Sequence, residues 1–99
     1  MAKGQTLEEL RKNMEEVTLE IFRLCGERIR FAEKIGKIKA EENMPIKDSK
    51  VEEELRKEVL RECQKFGLKT DFCNKLLKLL LDESKKVQRE VLRSEKHKQ

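Results

Sequence analysis

From Leu7 onward, apolar residues return at alternating intervals of three and four: Leu7, Leu10, Met14, Val17, Ile21, Leu24, then Phe31, Ile35 and Ile38. This is the 3.5-residue period of helices that pack on helices. The slot between Leu24 and Phe31 falls on Arg28. A buried guanidinium is costly unless an anion or a set of acceptors meets it. The pattern therefore predicts either a protein carboxylate or an anionic ligand beside Arg28.

Thr6 followed by Glu9 spells a capping box and predicts the start of the first helix. The stripe continues to about Ala40, and Gly26 and Gly36 weaken it without stopping it. Asn43 to Asp48 holds the one proline, Pro45, and is predicted to be a loop. Asp48 or Ser49 can cap a second helix carrying Leu55, Val59, Leu60, Cys63 and Phe66, with Gly67 as the residue that ends it. Thr70 can cap a third helix with the stripe Cys73, Leu77, Leu80, Ser84, Val87 and Val91, where Ser84 is a second polar residue in a seam. The fold class predicted is all-α, with three helices per chain, one long and two shorter.

Length adds a constraint. A helix from Thr6 to Ala40 would be ~50 Å long, and the second covers less than half of it. One chain cannot close a core around such a helix. The expected solution is an intertwined helical-bundle homodimer in which two long helices pack together and the shorter helices of each chain also cover the partner. A broken first helix in a monomeric bundle is the alternative, and the unbroken heptads oppose it. The chain is expected to form a single domain over residues 1–99, with flexible ends at 1–5 and 94–99.

Composition narrows the classes. Charged residues make up 44% of the chain, yet the apolar positions are periodic, which disordered segments lack. No run approaches the ~20 apolar residues of a membrane span, and the start has no apolar signal core. The expectation is a cytoplasmic protein with no membrane partner. The net charge of +4 is spread among abundant acids. Lys and Glu alternate along the helices as on solvated faces, and Phe is the only aromatic type, so no nucleic-acid partner is expected. Cys25, Cys63 and Cys73 are odd in number, lack metal-ligand spacing and lie on or beside apolar stripes. They read as free, buried thiols in a reducing compartment. With His97 the one histidine, neither zinc nor Cys–His catalysis is expected, and no cofactor is implied.

Polar residues at helical spacing supply the candidate chemistry. Arg28 and Lys39 are eleven residues apart, about three turns, and project from nearly the same face. Arg11 points roughly a quarter-turn away and lies ~25 Å along the axis; a single helix cannot bring it to the same site, whereas in a dimer of antiparallel long helices the partner's Arg11 could arrive there. Ser84 and Gln88 share a face one turn apart, and Asp48 and Glu52 open the second helix together. Each has a plainer explanation. Arg11 and Lys39 can snorkel, Glu52 can complete a capping box with Ser49, Ser84 can bond to its own helix, and Gln88 can sit on an exposed face.

As a set, Leu10-Arg11, Glu27-Arg28, Gly36-Lys37-Ile38-Lys39, Pro45-Ile46-Lys47-Asp48, Glu52 and Asp82-Glu83-Ser84 with Gln88 are similar in order and spacing to the small all-helical chorismate mutases, from about Leu7 to Leu92. The resemblance implies a monofunctional isomerase of the shikimate pathway that converts chorismate to prephenate in phenylalanine and tyrosine biosynthesis. It implies an intertwined dimer with two sites, each completed by the partner's Arg11. By the same resemblance, Arg28 and the partner's Arg11 would grip the two carboxylates, with Ser84 assisting. Lys39 would contact a carboxylate and the ether oxygen, and Gln88 that oxygen. Glu52, with backbone near Asp48, would hold the ring hydroxyl, and Ile35, Leu55 and Leu81 would form the apolar wall. Two departures stand out: Val51 replaces the arginine usual in the family, leaving Lys47 or Lys50 to supply charge, and Lys85 stands where an apolar pocket residue is common. An isochorismate-pyruvate lyase on the same scaffold and a non-enzymatic helical dimerisation or binding module are the competing readings. Association with another aromatic-biosynthesis enzyme is left open by the sequence.

Overall fold

Three helices carry nearly all of the chain: α1 (Leu7–Glu41), α2 (Ser49–Lys65) and α3 (Thr70–His97). They are seen in a computed structural model that describes residues 4–97. The predicted starts of the three helices and the ends of the first two hold to within a residue or two. Thr6 caps α1, its hydroxyl accepting from the Glu9 amide at 3.1 Å. Asp48 rather than Ser49 caps α2, its Oδ1 accepting from the Val51 amide at 3.1 Å. The predicted Thr70 cap is off by one: Thr70 is already helical, and the Lys69 carbonyl accepts the first bond, from the Cys73 amide. Gly67 follows α2 at φ +70°, a left-handed conformation that favours glycine, as predicted.

α3 is the shared element, with α1 and α2 each packed along it. The face that α1 turns to α3 is not the stripe expected from the sequence. Ala32 and Gly36 are the buried residues of α1, with Cys25, Arg28 and Ile29 half-buried beside them. The apolar stripe lies one position round the helix and faces outward, so that Phe31 is 61% exposed. Between Leu7 and Leu24 every residue of α1 is exposed. Here the helix stands free of its own chain. Local pairs line its surface, as where Arg23 bonds both Glu20 and Glu27 and holds the Glu20 carboxyl below the usual carboxylate range. The result is an elongated shape of 68 × 28 × 16 Å, with a radius of gyration of 18.2 Å. A compact chain of this length would have a radius of about 13 Å.

Two further expectations are corrected. Cys63 and Cys73 are joined in a disulfide, and only Cys25 is free. The turn after α2 lays the end of that helix beside the start of α3, which brings the two Cα atoms to 6.6 Å, within bridging range. Closing so short a loop contributes on the order of 2–3 kcal/mol. Arg56 Nη1 adds a second tie between α2 and α3, donating to Asn74 Oδ1 at 3.0 Å. At the other end, α3 runs on through His97, so residues 94–97 of the expected flexible end are helical. Residues 98–99, and 1–3 of the expected flexible start, lie outside the described residues. No helix among the described residues is long and apolar enough to cross a membrane.

α1 and α3 approach each other closely at Gly36. A Cβ there would lie 3.1 Å from the Cα of Gln88 and 3.2 Å from the Cβ of Val91. At Gly26 an added Cβ would meet nothing nearer than the end of Arg30, at 3.7 Å. Gly26→Ala should therefore stabilise the protein by roughly 0.5–1 kcal/mol through helix propensity. Gly36→Val should destabilise it by about 1–3 kcal/mol through overpacking. Thermal and urea denaturation of the two variants checks both signs.

Candidate active site

The polar residues picked out on α1 and α3 come together where α1 ends, the 42–48 loop crosses and α2 begins. Arg28, Ile35 and Lys39 from α1, Ile46 and Asp48 from the loop, Val51, Glu52 and Leu55 from α2, and Leu81, Ser84, Lys85 and Gln88 from α3 line one cavity of about 330 Å³. That volume lies in the range of small-molecule sites. Its wall is mixed. Ile35, Leu55 and Leu81 supply apolar surface beside the charged groups.

Backbone carbonyls orient the two principal cations. Arg28 Nη1 donates to the Leu80 carbonyl of α3 at 3.2 Å. Lys39 Nζ donates to the Ile46 carbonyl at 2.5 Å, tying the end of α1 to the loop. Neither is ion-paired: the carboxylates of the described residues that form salt bridges pair with other cations. Of the two answers the sequence allowed for Arg28, a protein carboxylate is not the one found. Arg28 is also only half-buried, at the cavity edge and not deep in a seam. A carbonyl meets part of its hydrogen-bonding demand and none of its charge.

On α3, Gln88 is 5% exposed, which overturns the plain reading of an exposed residue. Its Nε2 donates to Ser84 Oγ at 3.2 Å, and its Oε1 has no hydrogen-bond partner. Turning the amide over would let the Ser84 hydroxyl donate to Oε1 and leave Nε2 as the free end. In either orientation one end of a buried amide is unsatisfied at the cavity wall, and such groups are rare without a reason.

Residues 10–89 match the family described as chorismate mutase type II. The chain belongs to that family. The match takes in four-fifths of the sequence and every cavity residue above. A chorismate mutase from Methanocaldococcus jannaschii is 24% identical over 94 residues, covering 95% of each chain. A bifunctional chorismate mutase/prephenate dehydratase from Aquifex aeolicus is 40% identical over 57 residues, 58% of this chain but only 16% of the Aquifex protein. The all-helical fold agrees with the chorismate mutase type II assignment, and membership supports an isomerase acting on chorismate.

Of the residues expected at a chorismate mutase site, the structure gathers Arg28, Lys39, Asp48, Glu52, Ser84 and Gln88 around the cavity. Arg11 is not brought there. It lies exposed on the free half of α1, ~25 Å along the helix from Arg28. The capping-box reading of Glu52 fails, because Asp48 does the capping. Glu52 instead reaches across to α3, where its Oε2 lies 2.9 Å from Lys85 Nζ. Lys47 and Lys50 are exposed and do not line the cavity, whereas Lys85 does. Ile46 stands in the Pro45–Asp48 motif but has no site role in the sequence reading, since its contribution is a carbonyl that any residue could offer.

Proposed function

We propose that this cavity binds chorismate and rearranges it to prephenate in an intertwined homodimer, with the partner's Arg11 completing each site. The observation that carries this reading is the pair of oriented cations, Arg28 and Lys39, with no carboxylate partner among the described residues, at the wall of a cavity sized for a small molecule. A guanidinium and an ammonium so placed suit a dicarboxylate.

The chemistry asks for little else. In the Claisen rearrangement one C–O bond breaks as one C–C bond forms within a single molecule. Clamping both carboxylates folds the enolpyruvyl arm over the ring, a near-attack arrangement. Arg28 and the partner's Arg11 take the carboxylates, with Ser84 assisting. Negative charge builds on the ether oxygen as its bond to the ring lengthens. Lys39 and the Gln88 amide, turned so that Nε2 is its free end, are the donors for it, and their interaction strengthens in the transition state and so acts on rate. Glu52 accepts from the ring hydroxyl, beside the Asp48 backbone.

The dimer is supported by the uncovered stripe from Leu7 to Ile38 and by the extended shape of the single chain. Two α1 helices packed together would cover that stripe and could carry Arg11 toward the opposite site. A cytoplasmic location belongs to the same reading, through the family's place in aromatic amino acid biosynthesis. The fused dehydratase in the name of the Aquifex relative supports a link to an enzyme that consumes prephenate.

Incubation with chorismate should yield prephenate faster than the uncatalysed control, identified by chromatography; salicylate and pyruvate released from isochorismate, with chorismate left unconverted, would instead identify the lyase. Lys39→Ala should lower the rate by roughly 10²–10³ with unchanged helical circular dichroism, and retained turnover would remove Lys39 from the mechanism. Because an amide donates without first being protonated, kcat should not climb steeply as pH falls below neutrality, and a pH profile tests this. Mixed refolding of Arg11→Ala and Arg28→Ala chains should restore activity, since each heterodimer regains one intact site. Confirmed heterodimers without activity would refute the crossing arginine.

A further inference from the structure

The pair formed by Glu52 and Lys85 is unlike the other ion pairs described. Those link residues three or four apart within one helix, with side chains 40–81% exposed. Glu52 and Lys85 join α2 to α3, with their side chains 23% and 17% exposed, and both line the cavity. Solvent and salt screen such a pair far less than a surface pair.

We propose that Lys85 is a positioning residue for Glu52 and sets the affinity of the cavity for a dianion. This rests on the reading of the cavity as a chorismate site. Glu52 presents a problem there: a carboxylate well placed to accept from a hydroxyl is also a negative charge facing a doubly negative ligand. Val51, the neighbour of Glu52, is uncharged and leaves that charge unopposed from α2. Lys85 opposes it from α3. Its ammonium occupies Oε2 and leaves Oε1 to accept from the ligand. The charge balance depends on it as well. With Lys85 counted, the cations lining the cavity exceed the carboxylates by one: Arg28, Lys39 and Lys85 against Asp48 and Glu52. The partner's Arg11 would raise the excess to two, equal to the charge of the ligand. Without Lys85 the lining residues cancel.

The interaction is made with the ligand's ground state as much as with its transition state, so its loss acts on KM more than on kcat. The test uses the full-length protein and chorismate, with kcat and KM measured for wild type, Lys85→Met, Lys85→Arg, Glu52→Gln and the Lys85→Met/Glu52→Gln double variant. Methionine keeps the length of the side chain and the helix propensity, so the fold is retained, and circular dichroism with size-exclusion chromatography confirms it.

Lys85→Met should raise KM about tenfold, as expected for an unpaired charge left in the site, with kcat within about threefold of wild type. Lys85→Arg should stay near wild type. The double variant should recover most of the lost affinity, because the uncompensated carboxylate is gone; a purely structural role for Lys85 would give no such recovery. A Lys85→Met KM within twofold of wild type, or a double variant with KM no lower than Lys85→Met alone, overturns the inference while leaving the chorismate reading intact. A wild-type protein that does not accelerate the conversion overturns both, and that result is read before any substitution is made.

Discussion

The cavity takes its dimensions from the place where α1 and α3 touch. Ala32 and Gly36 present almost no side chain to α3, and at Gly36 the approach is too close for even a methyl group to enter freely. This contact sets the helices one residue out of the apolar register. Arg28 and Lys39, which flank Ala32 and Gly36 on the same helix, are thereby held at the edge of the interface and not beneath it. Gln88 sits on α3 directly opposite Gly36. The amide and the two cations thus share one reference point, and a small residue at position 36 is a condition for all three.

The electrostatics follow from that placement. A fully buried guanidinium would need a carboxylate, and the pairing would consume the charge. Half-burial at a rim lets a carbonyl fix the direction of Arg28 while its charge stays available. Lys39 is treated in the same way by the Ile46 carbonyl. Of the two carboxylates that line the cavity, Asp48 caps α2 and Glu52 is accompanied by a lysine. The site thus separates two tasks that surface ion pairs combine: neutral acceptors aim the cations, and a cation restrains the one carboxylate that reaches from α2 to α3.

The helices and most of the cavity were legible in the sequence because both rest on local signals. Thr6, Gly67 and the 3.5-residue period mark the elements. Arg28, Lys39, Ser84 and Gln88 stand out because each is polar where its helix should be apolar or shares a face with one that is. What could not be read depended on three-dimensional reach. The true α1–α3 seam runs through a glycine and an alanine, which carry almost no hydropathy signal, while the louder stripe beside it faces away from the chain. Cys63 and Cys73 are ten apart in sequence, and only the turn between helices makes them partners. The Glu52–Lys85 pair joins residues with no helical spacing between them, and a capping box offered Glu52 a sufficient local explanation.

The disulfide bears on the cavity even though it lies away from it. Cys63 is eleven residues beyond Glu52 on α2, so the helix between them is a rigid arm of ~16 Å. A turn of ten degrees about the far end would swing Glu52 by about 3 Å, as much as the full length of a hydrogen bond. The covalent link at Cys73 fixes the pivot of that arm, and Arg56 with Asn74 braces it part-way along. The aim of a carboxylate at one end of α2 is thus governed by chemistry at the other, as a sight is trued by the screw that holds its mount.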